Sequence, residues 1–300
     1  MSRPFPALAG VGVEHRFVQA RGLRFHVALA GPRGAEPLVL LHGWPQHWYE
    51  WRKVLPSLAE RRRCVMPDLR GLGWSDAPPR GYAKETLAAD VLAILDALGI
   101  ARTDLVAHDW GAWIGFLIAL RAPHRLRRHL ALNIAPPWMP SSPRRPRPRD
   151  AAALPRLAYQ LPLATPLLGA ALLRRTRAVE RMLTADNVHR DAFTGEDLAA
   201  FAEVLREPAR ARASSLIYRT FLGRELLPLL RGRYERVPLT VPTRLLFGTG
   251  DFAISRRHVD EAATRPGKAY EVEHVADSGH FIAEERPDLV VAHARDHLGA

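Results

Sequence analysis

Short, solidly apolar runs alternate with helix-patterned segments along the first half of the chain. RFVQARGLRFHVALAG, residues 16–31, predicts a hairpin, and PLVLLHG, residues 37–43, predicts a buried strand. WYEWRKVLPSLAE reads as helix and RCVMPD, residues 63–68, as strand. KETLAADVLAILDALG, residues 84–99, reads as an amphipathic helix closed by Gly99. TDLVAHD is the next strand. WGAWIGFLIALRAP is a helix apolar nearly all round, hence buried, that stops before Pro123, and RHLALNIAP, residues 128–136, is a further strand. Solidly apolar strands separated by helices predict a parallel sheet covered on both faces.

That alternation breaks after Pro136. From Trp138 to about Arg236 the chain offers proline-punctuated helical segments such as LPRLAYQLPLATPLLGAALLRR and EDLAAFAEVLRE. Strand and helix signals resume in VPTRLLFGTGD (241–251), AYEVEHVADSGH (269–280) and a last helix, ERPDLVVAHARDHL. The organisation expected is therefore an α/β core made of residues 1–137 and 237–300, with an all-helical insertion, residues 138–236, over one edge of the sheet.

Composition narrows the function classes. A chain of 300 residues with 47% hydrophobic residues can bury a substantial core. Its start lacks the continuous apolar segment of a secretory signal, and no run reaches membrane-spanning length, so a cytoplasmic location without stable membrane insertion is the expectation. Cys64 is the single cysteine, which excludes an intrachain disulfide and a cysteine-rich metal cluster. The formal charge of +12 raises nucleic acid as a partner. However, the arginines are spread along the chain. Their one dense run, SSPRRPRPRD (141–150), reads as a stiff proline-rich connector without interleaved aromatics, so no nucleic-acid role is expected. A homodimer is left open.

The chemistry gathers at predicted strand ends. Ala107-His108-Asp109-Trp110-Gly111 places small residues two before and two after a central aspartate at a strand-to-helix junction. Side chains at those two positions would collide with neighbouring backbone in a tight turn, which is the logic of a nucleophile elbow. The plain alternative is an aspartate capping the next helix. Three other segments weigh against it: His42-Gly43-Trp44-Pro45 after PLVLL, Asp251 at the end of TRLLFGTGD, and His280 in DSGH. All of them fall at the carboxyl ends of predicted strands, where open parallel sheets place their sites.

With HGWPQHWYEWR, PDLRGLGWSDAP, VAHDWGAW, GTGD and DSGHF in order over nearly its whole length, the chain resembles the α/β-hydrolase superfamily, and within it the epoxide hydrolases. The resemblance implies Asp109 as nucleophile, His280 as general base and Asp251 as the acid that orients it. It implies backbone N–H groups of Trp44 and Trp110 as an oxyanion hole, with His42, Gly43 and Pro45 shaping that turn. Tyr159 and Tyr218, in the helical insertion, are implied as proton donors to the epoxide oxygen, Tyr218 through its Tyr-Arg dipeptide. Trp44, Trp110 and Trp138 are expected as walls of an apolar pocket, with places in the packed core equally compatible with the sequence. PDLRGLGWSD is expected to be structural, so Asp68 and Asp76 are not catalytic candidates.

An aspartate nucleophile changes the reaction class. It is already an anion at neutral pH and can attack a saturated carbon without first losing a proton. Small apolar epoxides and water are the expected reactants, with neither cofactor nor metal, since no histidine pair or glycine-rich phosphate loop offers a site. Haloalkane dehalogenation on the same aspartate is the runner-up, although such enzymes commonly carry asparagine where this chain has Trp44. A non-catalytic ligand-binding relative is a third reading, disfavoured by the intact set of Asp109, Asp251 and His280.

Overall fold

Alternating side chains of β3 (Pro37–Leu41) feed two separate cores: Leu38 and Leu40 enter one apolar cluster, Val39 and Leu41 the other. This period of two is what a strand covered on both faces requires. The same split recurs in β5 (Thr103–His108), where Leu105 and Ala107 face one cluster and Val106 the other. The computed structural model describes residues 4–138, 159–264 and 268–299. The remaining strands are β1 (Glu14–Ala20), β2 (Leu23–Ala30), β4 (Arg63–Pro67), β6 (Leu126–Leu132), β7 (Leu239–Gly248) and β8 (Lys268–Val275). Among the described residues they form one eight-stranded sheet in the order β1-β2-β4-β3-β5-β6-β7-β8. The β1–β2 and β2–β4 pairs are antiparallel and the others parallel.

Helices α1 (Leu55–Leu58), α2 (Lys84–Ala97) and α3 (Asp109–Arg121) belong to the first half of the chain. Every residue of α3 from Asp109 to Leu120 is buried, in keeping with its lack of a polar face. Its glycines allow close approach to the sheet: a Cβ at Gly115 would lie 2.6 Å from His129 Nε2 and 2.7 Å from Leu105 Cδ2. Between β6 and β7 the described residues form α4 (Gln160–Ala164), α5 (Leu168–Arg175), α6 (Ala178–Thr184), α7 (Gly195–Leu205), α8 (Pro208–Thr220) and α9 (Leu226–Leu230), and no strand. A π-helical turn, Phe221–Glu225, joins α8 to α9. The arginine-rich connector at 141–150 lies outside the described residues. Helices α10 (Arg256–Ala263), α11 (Ile282–Glu285) and α12 (Pro287–Leu298) complete the chain.

Three local expectations need revision. Trp48–Lys53 is a 3-10 turn rather than part of one α-helix, started by a His47 side chain that accepts the Tyr49 N–H. β6 stops at Leu132, because Asn133 turns the chain at φ 44°. Helix α10 has no counterpart among the sequence expectations; of its eight residues Val259 and Ala262, three positions apart, are buried.

Candidate active site

The carboxyl ends of β3, β5, β7 and β8 share one edge of the parallel sheet and bring together residues far apart in sequence. At the end of β5, Asp109 adopts φ 48°, a left-handed conformation that a non-glycine residue holds only at a cost of roughly 1–3 kcal/mol. The turn is tight because α3 starts immediately against the β3 loop. A Cβ at Gly111 would lie 2.3 Å from the Leu41 carbonyl oxygen, and one at Gly43 would lie 2.6 Å from Asp109 Cβ. One carboxylate oxygen, Oδ2, accepts the Trp44 N–H at 3.0 Å. The Trp110 N–H opens the first turn of α3, where unpaired N–H groups and the helix dipole favour negative charge. Pro45 follows Trp44 through a cis peptide bond. The His42 ring ties this turn down, with Nδ1 donating to the Gly43 carbonyl at 2.9 Å and Nε2 accepting the Leu69 N–H at 3.0 Å.

The other oxygen of Asp109, Oδ1, lies 3.8 Å from His280 Nε2. His280 Nδ1 lies 2.8 Å from Asp251 Oδ2. Asp251 is itself held by the N–H groups of Ala253 and Ile254, each 2.8 Å from Oδ1, and by Asn133 Nδ2 at 2.9 Å from Oδ2. Burial opposes charge on Asp251, but these donors and the adjacent His280 keep its pKa below the ordinary carboxylate value. Burial likewise opposes a cationic His280. The Asp251 charge and hydrogen bond, with the charges of Asp109 and Asp186, more than offset this and raise its pKa from 6.5 to about 10.

This pairing predicts a pH signature. A histidine with a raised folded-state pKa contributes stability that is fully present below its unfolded value of 6.5 and disappears as pH rises through about 10. The melting temperature of the wild type relative to His280→Gln should therefore shrink between about pH 7 and pH 10. A difference independent of pH in thermal melts would show that His280 is not held as a cation.

Opposite Asp109, the helices between β6 and β7 present Tyr159 and Tyr218, with ring centroids 6.0 Å apart at 77°. Burial raises both phenols above their ordinary pKa, and the Asp109 charge acts in the same direction, so both are neutral O–H groups at physiological pH. The Tyr218 ring is edge-on to Trp44 at 5.0 Å and to Trp110 at 6.1 Å. Beside them lies a cavity of about 130 Å³ lined by Asp109, Trp110, Trp113, Tyr159, Phe221 and Ile254, among others. Trp138 does not belong with these residues. Its fully buried ring packs on Phe116 at 5.1 Å and Tyr270 at 5.4 Å, and its indole donates to the Ala262 carbonyl, so it fills the core beside α10.

Comparison with known proteins places this geometry in a family. The sequence model described as the α/β-hydrolase fold matches residues 36–287. A soluble epoxide hydrolase of Corynebacterium sp. (strain C12) is 32% identical over 93% of this chain and 95% of its own length. Epoxide hydrolase 4 of Mus musculus is 30% identical over 92% of this chain and 77% of its own. The solved structure of epoxide hydrolase CorEH without ligand superposes with a TM-score of 0.81 at 30% identity, covering 96% of this chain and 99% of that one. The chain belongs to the epoxide hydrolase family of the α/β-hydrolase fold.

In this member of the epoxide hydrolase family, several residues around the site escaped sequence reasoning. Asn133 donates to both Asp251 Oδ2 and the Gly279 carbonyl, so it holds the acid and the histidine loop together. Asp186 Oδ2 accepts the backbone N–H of His280 at 3.2 Å and of Phe252 at 3.3 Å. His108 turns away from the cavity, yet its Nε2 lies 2.9 Å from the His280 carbonyl and its Nδ1 2.9 Å from Glu50 Oε1. Glu50 Oε2 in turn accepts the Gly43 N–H at 3.0 Å. Asp68 is structural, accepting the Trp48 and Trp74 N–H groups at 2.9 Å each and lying 2.7 Å from His26 Nδ1. Among the described residues, no group of three or more His, Cys, Asp or Glu side chains is arranged to hold a metal ion, and no helix is long and apolar enough to cross a membrane.

Proposed function

We propose that the chain hydrolyses epoxides to vicinal diols through an ester on Asp109, with residues 138–236 acting as a cap that carries the proton donors. The observation that carries this reading is the division of labour at Asp109: Oδ2 is held by the Trp44 N–H, while Oδ1 lies on the His280 side of a site faced by two neutral tyrosines. Oδ1 attacks an epoxide carbon and the C–O bond breaks. A proton from Tyr218 or Tyr159 passes to the departing oxygen, leaving a phenolate that solvent reprotonates. Water then loses a proton to His280 Nε2 and attacks the Asp109 carboxyl carbon. The N–H groups of Trp44 and Trp110 receive the oxyanion. Collapse breaks the bond between the carboxyl carbon and Oδ1, the departing oxygen takes back the proton that His280 had accepted, and the diol is freed.

The charge on His280 fits this sequence. In the resting site it lies between two carboxylates and carries a proton. Alkylation neutralises Asp109 and removes one of the charges that raise the His280 pKa, so the imidazole can lose its proton and serve as base. Ester formation thus arms the step that destroys the ester.

The cavity supports small apolar substrates. An apolar cavity of about 150 Å³ holds one benzene ring, close to the 130 Å³ beside Asp109. Styrene oxide is therefore a suitable probe. A single turnover with excess enzyme in oxygen-18 water should yield phenyl diol without the label, because the oxygen left on carbon comes from Asp109. Further turnovers should then release label. Label in the first turnover's diol would mean direct attack by water. A second reading, dehalogenation, draws on the buried indole N–H of Trp110, which lies beside the Tyr218 hydroxyl and could donate to a halide instead.

A further inference from the structure

Behind the Trp110 wall lies a buried lysine with no place in the chemistry described so far; burial lowers its pKa, and the Glu225 and Asp109 charges oppose that fall. Lys84, the first residue of α2, is 1% exposed. Its Nζ lies 3.0 Å from Glu225 Oε2, 3.3 Å from the Ile217 carbonyl oxygen and 4.2 Å from the centre of the Trp110 ring. The Phe221 ring is 5.3 Å from the same nitrogen. Glu225 completes the clamp by accepting the Lys84 N–H at 2.7 Å, which caps α2 with a carboxylate at its positive end. Each of these contacts leads to the proposed ring-opening apparatus. Ile217 immediately precedes Tyr218, Phe221 and Glu225 belong to the π-turn that continues the Tyr218 helix, and Trp110 immediately follows Asp109. Isolated π-turns occur frequently at functional sites.

Stability alone is a poor reason for such a residue. A buried ion pair gains little over well-packed apolar side chains of similar volume, because both charges must first leave water. A cation over an indole face does something an apolar group cannot: it draws electron density from the ring and makes the N–H a better donor. The indole N–H of Trp110 is buried, its ring is edge-on to Tyr218, and the N–H interacts with the Tyr218 hydroxyl. Trp110 is also among the groups that favour the Tyr218 phenolate. Tyr218 becomes that phenolate when it gives its proton to the epoxide oxygen.

We infer that Lys84, clamped by Glu225, is a positioning residue for epoxide opening: it fixes the Trp110 indole and the Tyr218 helix against Asp109 and keeps a positive charge behind the indole. This rests on the epoxide-opening role proposed for Tyr218. The inference assigns Lys84 to the first half-reaction, since it touches the Trp110 indole and the Tyr218 helix, whereas hydrolysis uses His280 and the Trp110 backbone N–H, which the start of α3 holds.

The informative variant removes the charge without leaving Glu225 buried and unpaired. Lys84→Met/Glu225→Gln retains an amide oxygen for the position-84 N–H while removing both charges, and should melt close to the wild type. With styrene oxide in single-turnover experiments, it should form the Asp109 ester roughly 10- to 10²-fold more slowly, as small misplacements around a reacting group do. Hydrolysis of the ester should be unchanged. In protein labelled with nitrogen-15 tryptophan, the Trp110 indole N–H resonance should move. Alkylation at the wild-type rate in a well-folded double variant would overturn the inference, as would equal slowing of both half-reactions. An unmoved Trp110 resonance would overturn it even without turnover. If wild-type protein makes no diol, the epoxide reading fails, and the resonance still decides whether Lys84 acts on Trp110.

Discussion

Changing Tyr159 and Tyr218 together to phenylalanine is expected to slow ester formation on Asp109 by roughly 10²- to 10⁴-fold, the usual scale of general-acid assistance. The physical reason is the leaving group. Opening an epoxide leaves an alkoxide, which is far too basic to depart into a buried apolar site without a proton. Burial and the Asp109 charge hold both phenols protonated, so each is a ready donor. Their adjacency at 6.0 Å between ring centroids lets either one reach the same oxygen, so the single variants should lose less than the double. The fold should survive, because phenylalanine keeps the Tyr218 ring that packs on Trp44 and Trp110 and the Tyr159 ring that packs on Phe252. Rapid-quench measurement of ester formation under single-turnover conditions checks this. Wild-type alkylation by the double variant would remove the tyrosines from the mechanism and favour a halide leaving group, which needs only N–H donors.

Replacing Asp251 by asparagine should damage the other half of the cycle. Asp251 touches His280 Nδ1, at 2.8 Å, on the other side of the imidazole from the Asp109 Oδ1 that faces Nε2. Loss of the comparable acid in a serine triad costs about 10⁴-fold, because the imidazole is held in the wrong tautomer. A similar fall is expected in ester hydrolysis, with alkylation largely retained. The ester should accumulate as the dominant species during turnover. Loss of alkylation alone would mean that Asp251 serves Asp109, and that another carboxylate orients the histidine. Asp186, whose Oδ2 accepts the His280 backbone N–H, would be the first to test.

The legible parts of this protein were those written into short stretches of sequence. Helix α3 is apolar on every side and therefore readable as buried. The Ala-x-Asp-x-Gly pattern at residues 107–111 encodes a turn whose crowding is local, as the 2.3 Å approach at Gly111 makes plain. The strands around it carry strong apolar runs, so a covered parallel sheet with its site at the carboxyl ends of the strands is readable, whereas the strand order is not. Asn133, by contrast, is a polar residue just past a strand, and only the fold brings it to Asp251, 118 positions away. Lys84 reads as the ordinary polar start of an amphipathic helix until Glu225 arrives from 141 positions away to bury it. Trp138 shows the opposite failure. An aromatic residue near a candidate site suggests a pocket wall, whereas the ring is spent on Phe116 and Tyr270 in the core. Side chains whose role depends on partners distant in sequence leave no local signature.

The measurement that tests the central claim most directly is the intact mass of His280→Gln after exposure to styrene oxide. Without an imidazole to activate water, the protein should still be alkylated and should keep the adduct. The mass gained should equal that of the whole epoxide, because the opened oxygen stays on the adduct. Peptide mapping should place it on Asp109, and adding Asp109→Ala should abolish it. A haloalkane would instead add its own mass less that of hydrogen halide, so the same spectrum separates the two chemistries. An adduct that persists after Asp109 is removed, or no adduct with any epoxide of a broad panel, would contradict the assignment of Asp109 as the nucleophile.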